Sequence, residues 1–323
     1  MKVGTDIATA GATLRDGGLV AFPTETVYGL GADASNGDAV AKIFAAKGRP
    51  SAHPLIVHLA SDAVLDDWAI EIPQAARRLV ERAWPGPLTV ILLRSARVAD
   101  AVTGGAPTVG LRVPAHPMAQ ALLRELGRGV AAPSANRFGS VSPTTAAHVI
   151  ADGIAVDYIL DGGPCDVGVE STIVDLSRGR AVLLRPGGLA REAIEDIVGP
   201  LADADAHAPA APGTLALHYA PKALVIPVDP ADVPAAVTSS RGKVAVLAPV
   251  AAFAAWPELG SDVVAFRLPD DLPGMARSLY AALRDLDAAG VDVVIAALPP
   301  AVGLGEAVGD RLRRAAGPRR DAT

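Results

Sequence analysis

The sequence contains a single cysteine, Cys165, among its 323 residues. An internal disulfide and any all-cysteine metal site are therefore excluded. The six histidines show no HExxH or comparable ligand spacing, so we predict no protein-held metal ion. A GxxxxGK[ST] segment is also absent, which excludes a P-loop, and the run YGLGAD at residues 28–33 lacks the third glycine of a dinucleotide-binding fingerprint.

Long apolar runs are absent as well. The longest stretch free of both charged residues and histidine, residues 244–257, is too short to span a bilayer and contains Pro249. The N-terminal run MKVGTDIATAG has no apolar core of the kind found in signal peptides. We therefore expect a cytoplasmic protein with no membrane partner.

Acidic residues outnumber basic ones, and lysine is rare. The net charge is −6 and the chain has only five lysines. A surface of this sign repels nucleic acid at long range, so tight, unaided RNA binding is not expected. An anionic substrate would have to meet a local cluster of cations.

The order of apolar runs and helical patterns predicts an α/β fold over residues 1–200. Several strand pairs leave no room for a crossover helix, which favours a twisted mixed sheet. Predicted strands cover 18–22, 54–60, 88–94, 108–113, 130–132, 158–160, 171–176 and 181–184. Predicted helices cover 7–15, 38–46, 74–83, 117–126, 144–151 and 191–198.

A second, smaller α/β unit is predicted at the C-terminal end. Residues 201–221, beginning LADADAHAPAAP, lack periodicity and read as a linker or lid. The remainder, 222–323, predicts a Rossmann-like three-layer α/β domain with parallel strands. Its predicted strands are 243–247, 263–267 and 291–296, and its predicted helices are 274–288 and 305–315. This architecture says little about function.

The stretch VAFPTETVYGLGA at residues 20–32 combines a buried strand pattern with hydroxyls, one carboxylate and glycines. It could simply be a strand leaving the core through a glycine turn. As an extended segment, it would instead place Thr24, Thr26 and Tyr28 on one face as a ligand platform, with Gly29 and Gly31 allowing close approach to the backbone.

Two further segments carry polar groups at element ends. Lys47 and Arg49 in KGRPSAHPL could cap a helix C-terminus, but two cations before a strand also suit phosphates. In APSANRFGSVSPT, Ser142 and Pro143 form an N-cap and N1 pair, which predicts a helix start with free N–H groups. Ser134 and Asn136, just upstream, add hydrogen-bonding groups that a plain cap does not need.

Six ordered motifs then give a specific resemblance. The segments FPTETVYGLGADA, KGRPSAHPLIVHLA, TVGLRVP, APSANRFGSVSPT, GVESTIVD and LLRPG resemble the YrdC-type threonylcarbamoyl-AMP synthase family. LALHYAP and the unit after it resemble the long, two-domain members. The resemblance implies synthesis of L-threonylcarbamoyl-adenylate from L-threonine, bicarbonate or CO₂, and ATP with Mg²⁺, releasing pyrophosphate. Downstream threonylcarbamoyl transferase proteins would use the product to modify tRNA.

The resemblance also implies roles for particular residues. It implies a catalytic set of Lys47, Arg49, Ser134 and Asn136. ATP contacts are implied for Lys47, Arg49, His53, Thr108, Ser134, Ser142, Arg185 and Tyr219. Threonine contacts are implied for Thr26, His58, Arg112, Ala132 and Ser171, with Arg112 suited to the substrate carboxylate. Mg²⁺ would be carried by ATP rather than by the protein.

One departure and two alternatives accompany this resemblance. Long members carry a methionine and basic or aromatic residues before HYAP, whereas this chain has PGTLAL at 212–217. A double-stranded-RNA or ribosome-associated binding module is disfavoured by the acidic charge. A carbamoyl-transfer maturation factor is disfavoured because cysteine-rich zinc modules are missing.

Overall fold

The computed structural model describes residues 1–215, 218–256, 259–260 and 262–317. Their contacts define two compact units. The first comprises Met1–Phe138 and Ser142–Thr214, and the second comprises Gly139–Val141 and the chain from Leu215 onward. Residues 216 and 217 of the predicted linker lie outside the described residues. The predicted domain boundaries, at 200/201 and 221/222, stay predictions.

Within the described residues, twelve strands of the first unit join one mixed sheet. They are Lys2–Gly4 (β1), Val20–Phe22 (β2), Gly29–Asp33 (β3), Ile56–His58 (β4), Ala69–Ile70 (β5), Leu88–Arg94 (β6), Thr108–Arg112 (β7), Val130–Ala131 (β8), Tyr158–Leu160 (β9), Thr172–Asp175 (β10), Val182–Arg185 (β11) and Ala202–Asp203 (β12). Their order is β1-β9-β2-β3-β8-β4-β7-β6-β10-β11-β12, and β5 pairs with β6. Parallel and antiparallel pairs both occur, which confirms the predicted mixed sheet.

Helices of the first unit cover this sheet. They are Ile7–Arg15 (α1), Gly37–Lys47 (α2), Gln74–Ala83 (α3), Asp100–Thr103 (α4), Pro117–Leu126 (α5), Ala146–Asp152 (α6) and Arg191–Val198 (α7). Helices α1, α3, α5 and α7 begin and end where the sequence predicts them. Their bounds were readable because local signals fix them, such as the Asp6 side chain that caps α1 and the left-handed Gly127 that ends α5.

Alternation along the strands divides the apolar side chains between the two faces of the sheet. Val20 and Phe22 of β2 pack with apolar residues of α1 and α5. Ala21, between them, belongs instead to the core that contains residues of α2 and α3. The sheet is therefore buried on both faces over its central strands.

The stretch at residues 20–32 is a hairpin, so the extended platform predicted there is wrong. Strand β2 ends at Phe22, and β3 returns antiparallel to it with Phe22 opposite Gly29. The Thr24 side chain directs the reversal, because its Oγ1 accepts the N–H groups of Thr26 and Val27 and donates to the Val27 carbonyl at 2.6 Å. Because the Thr24 hydroxyl is hydrogen-bonded to the backbone of its own loop, it does not belong to a strand face that could present it to a ligand.

The glycines of this stretch serve packing rather than ligand approach. A Cβ built on Gly31 would lie 2.7 Å from Val130 Cγ1 and 2.8 Å from Phe22 Cε1. Neighbouring side chains therefore occupy the space that a substituent would need.

The predicted helix start at Ser142 and Pro143 is also wrong. Helix α6 begins at Ala146, and Thr145 is its N-cap, with a side chain that accepts the His148 N–H. Ser142 Oγ instead donates to Glu170 Oε1 at 2.6 Å, and the Pro143 carbonyl accepts the Tyr28 N–H at 2.9 Å. Both groups are held by distant parts of the chain, which outweighs the local capping preference.

The second unit has its own sheet and core. Its strands are Leu224–Val228 (β13), Val244–Pro249 (β14), Val264–Leu268 (β15) and Val293–Ala297 (β16), and its helices are Val233–Ser239 (α8), Leu272–Ala288 (α9) and Leu304–Ala316 (α10). All strand pairs are parallel, in the order β13-β16-β14-β15. The predicted small parallel α/β unit is confirmed, with β13 and α8 as additions that the sequence pattern did not predict. Among the described residues, no helix is both long and apolar enough to cross a membrane.

Candidate active site

Lys47 holds the loop that carries Ser134 and Asn136. It is the last residue of α2, followed by Gly48 in the left-handed conformation at φ +64°. Its Nζ donates to the Ser134 carbonyl at 2.5 Å and to the Asn136 carbonyl. Burial, with a smaller contribution from Arg49, lowers the pKa of Lys47 to about 7. A buried amine with a pKa near 7 thus contacts the backbone of the loop.

Arg49 and His53 lie beside the same loop. Arg49 Nη2 donates to the Pro54 carbonyl at 3.0 Å, and the Arg49 guanidinium lies 5.8 Å from the centre of the Phe138 ring. The His53 ring is 5.6 Å from the Phe138 ring. Burial and then Arg49 lower the pKa of His53. Phe138 is thus a neighbour of two residues of the implied ATP set.

His58 and Arg112 are register partners on adjacent parallel strands, β4 and β7. Burial and then the Arg112 charge lower the pKa of His58 to about 3, so the imidazole is neutral at physiological pH. Its Nδ1 is buried and has no hydrogen-bond partner among the described residues. Ala132 follows β8, the other neighbour of β4, and its N–H donates to the Ile56 carbonyl at 2.9 Å.

Arg112 forms a buried ion pair with Glu25. Its Nη2 lies 2.8 Å from Glu25 Oε1, and the two side chains are only 4% and 9% exposed. The other carboxylate oxygen, Oε2, accepts the Ala115 N–H at 3.0 Å. An internal carboxylate therefore already contacts the arginine that we expect to bind a substrate carboxylate.

Ser171 and Arg185 form a third cluster. Arg185 donates to the Ser171 carbonyl through Nε at 3.1 Å and through Nη2 at 2.8 Å. Ser171 Oγ lies 2.8 Å from Thr89 Oγ1. Arg185 Nη1 donates to the Pro212 carbonyl at 2.8 Å. Thr108 lines a small cavity of about 10 Å³ together with Pro54, Thr89 and Pro212, which are contact partners of Arg49, Ser171 and Arg185.

The sheet register explains how distant segments converge. From β4 to β11 the strands are direct neighbours, in the order β4-β7-β6-β10-β11. His58 lies opposite Arg112, and further along Ile173 lies opposite both Thr89 and Arg185. Side chains at these positions share one end of the sheet.

The implied residues of the first unit thus fall into small clusters, and Tyr219 belongs to the second unit. Within the first unit, contacts gather Lys47 with Ser134 and Asn136, Arg49 with His53, His58 with Arg112, and Ser171 with Arg185. Thr26 is buried, with its hydroxyl 2.8 Å from that of Thr24. Tyr219 belongs to the second unit, where its ring lies 4.9 Å from the Arg311 guanidinium and 5.8 Å from the Tyr280 ring. Its role at ATP stays a prediction.

Sequence reasoning assigned no role to Glu25, Thr89, Phe138 or Glu170. Glu25 had a usable signal, because a carboxylate inside an otherwise buried motif requires a cationic partner. Thr89 had none, because a threonine within the run LTVILLR is ordinary strand composition.

Comparison with known proteins assigns the family. A family model named for Sua5, YciO and YrdC, and described as telomere recombination, matches residues 12–187. A second model, described as the C-terminal domain of threonylcarbamoyl-AMP synthase, matches residues 189–317. The chain belongs to the Sua5/YciO/YrdC family. More particularly, it has the long, two-domain form that carries the synthase C-terminal domain, as the sequence motifs predict.

Individual relatives agree over nearly the whole chain. A threonylcarbamoyl-AMP synthase of Pyrococcus abyssi is 45% identical over 332 aligned residues, covering 97% of this chain and 94% of that protein. A threonylcarbamoyl-AMP synthase of Bacillus subtilis is 43% identical, covering 97% and 93%. The crystal structure of P. abyssi Sua5 complexed with L-threonine is similar with a TM-score of 0.88 and 43% identity, covering 96% of this chain and 94% of that one.

Proposed function

We propose that this chain is an L-threonylcarbamoyladenylate synthase, a nucleotidyltransferase. It converts L-threonine, bicarbonate or CO₂, and ATP into L-threonylcarbamoyl-adenylate and pyrophosphate, the first step of tRNA threonylcarbamoyladenosine modification. The observation that carries the proposal is the convergence at one end of one sheet of Arg112 and His58 with Ser171 and Arg185. Full-length relatives named for this reaction support it.

The proposed reaction needs two bond-forming steps. The threonine ammonium first loses a proton, and the neutral amine then attacks the carbon of CO₂ and gives a second proton to solvent, which leaves a carbamate. A carbamate oxygen then attacks the α-phosphorus of ATP, and the bond from that phosphorus to the bridging oxygen of the β-phosphate breaks to release pyrophosphate. No covalent enzyme intermediate is required, so the protein acts by orientation and by stabilising charge.

The described contacts suggest which side chains do each task. Arg112 binds the threonine carboxylate, and neutral His58 adds hydrogen-bonding capacity without adding charge. ATP brings about four negative charges into an otherwise acidic protein, so its phosphates need cationic partners. We assign this task to Lys47, Arg49 and Arg185. The loop of Ser134 and Asn136 is held in place by Lys47.

Mg²⁺ is proposed to enter with ATP. The charged side chains that we assign to the phosphates are lysine and arginine, which do not ligate magnesium, so phosphate oxygens would hold the ion. When bound, it would neutralise charge on the polyphosphate. We place the reaction in the cytoplasm, where the adenylate would pass to a threonylcarbamoyl transferase.

The test is pyrophosphate release by the purified chain with ATP and Mg²⁺. We expect release only when threonine and bicarbonate are both present, with threonylcarbamoyl-adenylate detected by mass spectrometry. Serine in place of threonine is the matched control. Equal turnover without threonine, or release of phosphate instead of pyrophosphate, would refute the proposal.

A further inference from the structure

Glu25 is a buried carboxylate, and the proposed reaction as described above gives it no task. The residue is 7% exposed, and its position is fixed at several points. Its carbonyl accepts the Val167 N–H at 2.8 Å, its Oε2 accepts the Ala115 N–H at 3.0 Å, and its Oε1 faces Arg112 Nη2 at 2.8 Å. Backbone and side chain are thus held so that one carboxylate oxygen points at the arginine.

Glu25 and Arg112 form a close ion pair, at 2.8 Å, whose two atoms are not aligned as a hydrogen bond. Glu25 Oε1 and Arg112 Nη2 are both buried, and neither has a hydrogen-bond partner among the described residues. The arginine's only hydrogen bond within the described chain runs from Nε to the Gly86 carbonyl, at 3.4 Å. A buried donor and a buried acceptor therefore lie side by side as an ion pair, and each keeps hydrogen-bonding capacity that a well-aligned ligand could use.

This pair is complementary to the head group of an amino acid. A zwitterion carries an acceptor carboxylate and a donor ammonium on one carbon, which matches a donor beside an acceptor. We propose that Glu25 binds the α-ammonium of the amino-acid substrate while Arg112 binds its carboxylate. The proposal rests on the function proposed above and assigns a second recognition residue to the same site.

The surrounding groups fit a ligand with no net charge. His58, the register partner of Arg112, is neutral at physiological pH. Cys165, whose ionisation is influenced by Glu25, Arg112 and the exposed Asp166, is neutral too, because burial raises the pKa of its thiol to about 12. The charges of Glu25 and Arg112 therefore balance each other, and a zwitterion preserves that balance, whereas a simple carboxylic acid would add one unpaired negative charge.

The test compares two ligands by calorimetry on the full chain. L-Threonine has both charges, whereas 3-hydroxybutyrate has the carboxylate and the hydroxyl but no ammonium. We expect Glu25→Gln to weaken threonine binding about 10- to 100-fold and to leave 3-hydroxybutyrate binding unchanged or stronger. Asp33→Asn is the matched control, since Asp33 is a buried carboxylate paired with Arg128 at 2.8 Å and lies outside the implied site.

Each outcome has a distinct meaning. An equal loss of affinity for both ligands would overturn the proposal, because Glu25 would then act only by holding Arg112. Unchanged threonine affinity in Glu25→Gln would overturn it as well. Failure of the unmodified chain to bind threonine would refute the proposed function together with this inference.

A measurement on the unmodified chain guards against misfolding of the variant. In a crystal structure with bound threonine, we expect the ammonium nitrogen about 3 Å from Glu25 Oε1. An ammonium placed more than about 4 Å from both carboxylate oxygens would overturn the inference, whatever the variant does.

Discussion

Proton uptake on ATP binding is the most direct consequence of the buried Lys47. Burial and the nearby Arg49 lower the pKa of this lysine from 10.5 to about 7. At pH 8 such an amine is about 90% neutral. Negative phosphates arriving beside it favour the charged form, so the pKa rises and the amine takes up a proton.

The magnitude follows from the size of the pKa change. Returning the pKa from about 7 to its ordinary value of 10.5 requires about 5 kcal/mol of favourable interaction. One unit charge at 4 Å supplies about 4 kcal/mol at an effective dielectric constant of 20, and ATP carries several charges. Uptake at pH 8 should therefore approach about 0.9 proton for each ATP bound, and the share that Lys47 takes up should fall to about 0.1 at pH 6.

Titration calorimetry at pH 8 in Tris and in HEPES measures this number, because the two buffers differ in ionisation enthalpy. The phosphates of ATP contribute little there, since a terminal phosphate has a pKa near 6. Lys47→Arg should bind ATP without uptake, because arginine stays charged. Lys42→Met is the control on the same helix, where the Lys42 Nζ donates to the Gly17 carbonyl. Uptake below about 0.2 in the unmodified chain, with ATP bound, would refute the reasoning.

Two further predictions concern the third cluster and the second unit. Thr89→Val removes the hydroxyl 2.8 Å from Ser171 Oγ without changing side-chain volume, so the KM for threonine should rise about 3- to 10-fold with little change in melting temperature. An unchanged KM would mean that the hydrogen bond from Thr89 does not help Ser171 to bind threonine. Tyr219→Ala, and separately a chain ending at Thr214, should each weaken ATP binding about 5-fold or more, because an aromatic ring that stacks on a base is lost. Equal ATP affinity in all three proteins would show that Tyr219 does not contact the nucleotide.

Most helices, and eight of the twelve strands described in the first unit, could be predicted because their signals are local, whereas β1, β3, β5 and β12 were not predicted. Apolar spacing predicted the bounds of α1, α3, α5 and α7, and side-chain caps mark the starts of α1 and α5. The hairpin at residues 20–32 escaped prediction because the same residues suit an extended segment. The chain reversal is stabilised by hydrogen bonds of the Thr24 hydroxyl to the backbone of its own loop, which residue types alone do not reveal.

The site was predictable as a set of residues and unpredictable as a set of contacts. Lys47 and Arg112 were singled out because motifs mark them. The acceptors of Lys47 lie 87 and 89 residues away, and Ala115, which donates to Glu25, lies 90 residues away. Such pairings exist only after the sheet has formed, and no spacing rule within a motif encodes them.

The segment after residue 200 shows how composition can mislead. Alanines and prolines without periodicity predicted a linker or lid too irregular to pack as an element, yet Ala202, Ala208 and Ala211 pack against the apolar cluster around Ile173. Small side chains allow an irregular segment to pack closely against a sheet. The absence of a periodic apolar pattern therefore does not imply an absence of packing. The packed position bears on the proposed nucleotide site because the Pro212 carbonyl accepts from Arg185 Nη1. A phosphate oxygen is a stronger, charged acceptor for that same donor, so nucleotide binding at Arg185 should release this carbonyl and loosen the segment that leads to Tyr219.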